Sequence, residues 1–159
     1  MSVSPERYFF RTWLPQIIGY AEMVDEETVL RKAWVKGDRS KTSVYYPGEL
    51  ISQLDDLTAP VRDDIDARLA DCRPLALCIR SFLHSAETLW FAAEATMDVQ
   101  SWGEGRQIAG AKGIFSSHEW RKLQDHARQL IVLARAAGFG SDHALIDDQG
   151  FTTRGPTIG

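Results

Sequence analysis

Residues 74–97 read PLALCIRSFLHSAETLWFAAEATM, and the reading of this stretch decides the fold. Pro74 suits the first turn of a helix, where a missing backbone donor costs nothing. Apolar side chains then fall around most of the helical cylinder. A helix of that kind belongs at the centre of a core, with other helices packed around it. Its only polar line is Arg80, His84, Glu87 and Glu94.

Working toward the C-terminus, residues 98–114 (DVQSWGEGRQIAGAKGI) are glycine-rich and read as a loop. Gly105 and Gly110 stand at P-loop spacing. However, Ala111 separates Gly110 from Lys112, no Ser or Thr follows the lysine, and a helix rather than a strand precedes. Lys112 and the amides at 116–118 leave only an anion-holding helix start as a functional reading of this loop. The next helix carries complete signals. Ser116 and Glu119 form a capping box, Phe115 and Trp120 a hydrophobic staple. Trp120, Leu123, Ala127, Leu130, Ile131 and Ala134 form one apolar face, and Gly138 ends the element. The domain is therefore expected to occupy residues 1–140, with 141–159 a C-terminal tail packed on or trailing from it.

Toward the N-terminus lies the most unusual composition. Residues 55–71, DDLTAPVRDDIDARLAD, hold six aspartates and two arginines, a net charge of −4 that equals that of the whole chain. Val61, Ile65 and Leu69, four apart, predict a helix from Pro60 with one narrow buried stripe, so that Asp63, Asp64, Asp66 and Asp71 face outward. Before it, Pro47-Gly48 opens a short helix with Leu50, Ile51, Leu54 and Leu57 on one side. Residues 25–37 fit a helix with Asp25 as cap, Glu26 and Glu27 in the first turn, late basic residues and a terminal Gly37. A β-hairpin near residues 29–46, VLRKAWV and TSVYY around KGDRSK, fits the same segment. Ser4-Pro5-Glu6 starts a first helix, which Pro15 should kink or split.

The fold class expected is thus mainly α, a single compact domain of about five or six helices. The 159 residues suffice to bury ~70% of the unfolded surface, and 44% apolar with 25% charged residues is ordinary for a globular chain. A pI of about 5.5 argues against a generic nucleic-acid or membrane-surface binder. The N-terminus has no leader pattern, and no apolar run approaches a membrane span. Cys72 and Cys78 make neither a disulfide framework nor a zinc site, and read as buried thiols of a cytoplasmic protein.

Candidate chemistry is sparse. His84 and Glu87 share a helix face, close enough for proton transfer or paired ligation, but nothing supplies further ligands. His118 and His126 diverge around the last helix. Arg31, Lys32, Lys36, Arg39 and Lys41 cluster near Trp34 and Tyr45, and Arg121, Lys122, Arg128 and Arg135 line the last helix, which gives a nucleic-acid reading its best residues. No catalytic residue, metal site or cofactor is expected.

The aspartates Asp55, Asp56, Asp63, Asp64, Asp66 and Asp71 read as a solvated face, as an intrachain or dimer contact with the basic last helix, or as a binding surface for a basic protein. A calcium loop fails for want of its ligand ladder. Carboxylates on a rigid element imitate a phosphate backbone and attract a basic cleft at long range. The segment at 34–57, WVKGDRSKTSVYYPGELISQLDDL, resembles a stretch of small bacterial immunity proteins. The resemblance implies a cytosolic, non-enzymatic inhibitor that neutralises a cognate toxin, and assigns no residue roles. The expected function is a toxin-binding inhibitor acting through the acidic face. A small helical enzyme near His84 and Glu87, or a regulatory nucleic-acid-binding protein, is the alternative.

Overall fold

A computed structural model describes residues 4–38, 40–44, 47–96 and 113–141, with side chains 47 and 92–96 excepted. The described residues are helical and contain no strand. Ser4 caps α1 (Pro5–Tyr8), its Oγ accepting the Arg7 amide at 3.1 Å. A π turn, Phe9–Trp13, joins α1 directly to α2 (Leu14–Glu26). Pro15 explains the turn. A proline inside an α-helix lacks a donor, and its ring collides with the carbonyl four residues back. The chain widens one turn instead, and the Leu14 amide reaches back five residues to the Phe9 carbonyl. The expected split at Pro15 takes this form, and Phe9 and Trp13 remain fully buried.

The second helix runs further than its signals suggested. Asp25 and Glu26 close α2 rather than cap α3, and the break falls at Glu27, whose φ is 70°. Such a conformation is uncommon for a residue with a side chain. The Glu27 carboxylate accepts hydrogen bonds from Trp120 Nε1 (2.8 Å), Gln124 Nε2 (3.2 Å) and Arg31. The bonds from Trp120 and Gln124 span more than 90 residues, and they hold a backbone that local preference disfavours. Helix α3 (Thr28–Lys36) then settles the choice at 29–46 in favour of the helix. Gly37, with φ 75°, supplies the left-handed terminus, and the Asp38 amide bonds the Lys32 carbonyl. The segment 40–44 returns as a strap. Trp34 Nε1 donates to the Val44 carbonyl at 2.9 Å, and Thr42 and Val44 are buried.

Helix α4 (Pro47–Thr58) buries Leu50 and Leu54, as its spacing predicts. It passes without a break into a 3-10 turn, Ala59–Asp64. Thr58 is fully buried, and its Oγ1 accepts Trp13 Nε1 at 3.2 Å. One α turn, α5 (Ile65–Arg68), and a second 3-10 turn, Ala70–Cys72, lead into α6 (Arg73–Thr96). The acidic segment is therefore a chain of tight turns rather than one regular helix.

After a helical turn at 113–115, the Ser117 Oγ accepts the Trp120 amide at 3.1 Å and opens α7 (His118–Ala136). The cap is Ser117, not Ser116, so the expected capping box is not formed. Ser117 also donates to the Ile114 carbonyl at 2.6 Å, which fixes the choice between the two serines. The staple contact survives, with the Phe115 and Trp120 rings edge to face at 4.9 Å. All six residues of the expected apolar face of α7 are buried. Both α6 and α2 pack on α7, and α4 packs on α6. The core gathers Trp13, Trp34, Trp120, Phe9 and Phe82 with the aliphatic side chains between them.

One expectation about α6 needs correction. It is not enclosed on all sides: Leu77 and Phe91 are 64% and 63% exposed. Among the described residues no helix is long and apolar enough to cross a membrane. Most of the glycine-rich loop, with Gly105, Gly110 and Lys112, and the tail from 142 onward lie outside the described residues.

Candidate functional site

The acidic surface is built on the stripe that the sequence shows. Val61, Ile65 and Leu69 are 4%, 0% and 2% exposed, and they pin the turns of residues 59–72 to the core. The remaining positions of those turns must point away. Asp55, Asp56, Asp63, Asp66 and Asp71 are exposed and Asp64 is half-buried. The end of α4 and the tight turns that follow it thus hold six carboxylates, an acidic edge whose turns are anchored to the core every four residues.

Two of the six have cation partners. Arg62 pairs with Asp55 at 3.3 Å. Arg80, from α6, donates through Nε and Nη2 to the two oxygens of Asp66 at 3.0 and 3.1 Å, and Nη2 also reaches the Arg62 carbonyl. This two-pronged pair fastens the acidic turns to α6. Asp56, Asp63, Asp64 and Asp71 make no ion pair with a described residue.

The basic last helix is spent elsewhere. Arg128 pairs with Asp25 at 3.0 Å, Arg135 with Glu22 at 3.5 Å, and Arg121 donates to the Ser116 carbonyl. An intrachain contact between α7 and the acidic segment is therefore not what the fold makes. The acids that α7 engages belong to α2, on the opposite side of a 100-residue separation in sequence.

The other candidates do not assemble into sites. His84 is exposed and Glu87 half-buried, and neither lines the depression beside Glu22 or the one beside Phe10. Arg80, expected to enrich that line, is committed to Asp66. His118 is exposed. The His126 imidazole is held below its usual range by burial and then by nearby Lys122. Of the two aromatic residues named with the basic cluster, Trp34 belongs to the core rather than to a stacking platform, and Tyr45 lies outside the described residues. Trp34 is fully buried, and Arg31 lies 4.5 Å over the buried Phe115 ring. Cys72 and Cys78 are free thiols, and burial pushes Cys78 up to about 11, far from a reactive thiolate. Among the described residues, no group of side chains could hold a metal ion.

One open depression of about 360 Å³ lies between α2, α3 and α7, lined by Glu22, Asp25, Glu26 and Arg135 among others. Its carboxylates are largely engaged, Glu22 by Arg135 and Ser141 and Asp25 by Arg128. Sequence reasoning missed Glu27, whose carboxylate joins α3 and α7 among the described residues. No local signal marks it, because Trp120 and Gln124 come from α7. No protein-family model, curated protein or solved structure matches the chain.

Proposed function

We propose that this protein is a non-catalytic inhibitor of the immunity type, which neutralises a toxin-like protein by covering a basic cleft with its acidic edge. The observation that carries the reading is the contrast in pairing. Glu22 and Asp25 of α2 are matched by Arg135 and Arg128 of α7, whereas Asp56, Asp63, Asp64 and Asp71 have no cation among the described residues. Carboxylates left unmatched on a rigid backbone raise the rate of encounter with a basic surface and then pair with its Lys and Arg. Two unpaired thiols accord with action in the cytoplasm, where such thiols persist.

The test uses the partner recovered from the host and purified. Replacing Asp56, Asp63 and Asp71 with Asn should slow association about tenfold at low salt, and rising salt should slow the parent protein in the same way. Replacing Asp125, an exposed acid on α7, serves as control and should change little. A triple variant that associates at the parent rate with the parent salt dependence removes the acidic edge from the interface.

A further inference from the structure

The exposed side of α6 carries a pattern that the acidic edge does not explain. Leu77, His84 and Phe91 follow at intervals of seven residues, about 10 Å each, and lie within about 20° of one line along the helix. Leu77 and Phe91 are two of the three large exposed hydrophobic side chains among the described residues, at 64% and 63%. Arg73 falls on the same line, and Arg80 and Glu87 flank it on one side, Ser81 and Thr88 on the other. Arg73, His84 and Thr88 are exposed, and Arg80, Ser81 and Glu87 half-buried.

We infer that this face is a self-complementary seam, in which two copies of the chain pack α6 against α6, antiparallel, with the two-fold axis at His84. The sequence distances impose that centre. Leu77 and Phe91 are equidistant from His84, so the axis sets each Leu77 on the partner's Phe91. The same axis brings Arg80 beside the partner's Glu87, because both lie on one flank and at nearly equal distances from the centre; the pair with Asp66 uses Nε and Nη2 and leaves the Arg80 Nη1 to face that carboxylate. Basic residues occupy the N-terminal half of the face and the acid its C-terminal half, so only the antiparallel arrangement joins opposite charges. A parallel pair would put both Arg80 at one level and both Glu87 at another, and would bring no Arg80 to a Glu87. Antiparallel packing also opposes the two helix dipoles favourably. A contact in which each residue meets its counterpart across a two-fold axis is the usual form of a closed homodimer. With two apolar anchors per copy the seam is small, and association falls in the range of weak, reversible dimers.

Sedimentation velocity of the full chain, from a few to several hundred micromolar, tests the seam. The parent should shift from monomer to dimer across that range. Leu77→Asp with Phe91→Asp should stay monomeric throughout, with unchanged helical circular dichroism, since both side chains are already in water. Register is tested by cysteine cross-linking under mild oxidation. His84→Cys, at the axis, should form a disulfide-linked dimer, and Leu77→Cys, about 20 Å from its counterpart, should not. The parent, with Cys72 and Cys78 in place, sets the background. A parent that remains monomeric, a dimer that survives the double aspartate variant, or cross-linking of Leu77→Cys in preference to His84→Cys would each overturn the inference. The seam meets the acidic edge only through the Arg80–Asp66 pair, which the Asp56, Asp63 and Asp71 variant leaves in place, so that variant should dimerise like the parent.

Discussion

Two charged regions of this molecule share a residue chemistry and differ in what the fold does with it. Between α2 and α7, Glu22, Asp25 and Glu27 meet Arg135, Arg128 and the polar hydrogens of Trp120 and Gln124. Along residues 55–71, most carboxylates meet only solvent. In the first region a carboxylate joins helices that are 100 residues apart, and its loss should be felt as stability. In the second, its loss should be felt in encounter with another molecule and hardly in the fold.

The largest effect should come from the packing that underlies the first region. Leu130 is fully buried on the α7 face, and Leu130→Ala should lower stability by ~2–5 kcal/mol in chemical denaturation, through lost burial and the cavity left behind. Next comes the carboxylate hub. Glu27→Ala should lose about 2 kcal/mol, because the indole of Trp120 and the amide of Gln124 lose a charged acceptor. Glu27→Gln keeps an acceptor oxygen and should lose less. A Glu27→Ala variant as stable as the parent would make the two charged regions equivalent after all.

The interior should also respond to base. The Tyr20 phenol donates to Gln53 Oε1 at 2.6 Å and is pushed up from 10.0 to about 12, by burial first and by Glu49 second. Burial pushes the Cys78 thiol from 9.0 to about 11. Both folded-state values lie above the unfolded ones, so the unfolded chain loses these protons first. The corresponding stability is full below about pH 9. It should decline between 9 and 11 for Cys78 and between 10 and 12 for Tyr20. The urea midpoint followed against pH should show this fall, and Cys78→Ala should remove its earlier part.

A smaller effect separates two adjacent serines. Ser117→Ala should cost ~1 kcal/mol as the loss of a helix cap, and Ser116→Ala, whose hydroxyl caps nothing, should be close to neutral. The smallest stability change belongs to the second region itself. The Asn variant of Asp56, Asp63 and Asp71 should stay within about 0.5 kcal/mol of the parent by the same denaturation. A loss of several times that size would show that these carboxylates serve the fold.

What the sequence makes legible follows from range. The α7 face, the stripe of Val61, Ile65 and Leu69, and the Gly37 terminus depend on spacing within one element, and each is found where the spacing places it. Glu27 could not be found that way. Asp25, Glu26 and Glu27 look alike to local rules, and only the indole of Trp120 selects which of them ends α2. Ser116 and Ser117 are likewise equivalent until the Ile114 carbonyl chooses between them. The acidic segment shows which residues face out but not that its backbone would tighten into 3-10 turns. The outer face of α6 was hidden by composition: an element rich in apolar residues reads as enclosed, whereas Leu77 and Phe91 stand in water.

The π turn at Phe9–Trp13 links two features that a lineage of this chain could not change separately. It holds one residue more than an α-helix would need, and Pro15 follows directly. Removing a residue from the turn would restore the α ladder and set the proline ring against a carbonyl. It would also rotate everything upstream by about 100°, carrying Phe9 away from the core. Removing the proline alone would leave the widened turn without its cause, yet still fixed by the packing of Phe9 and Trp13. Descendants of this sequence should therefore keep the extra residue and the proline together, or lose both in the same step.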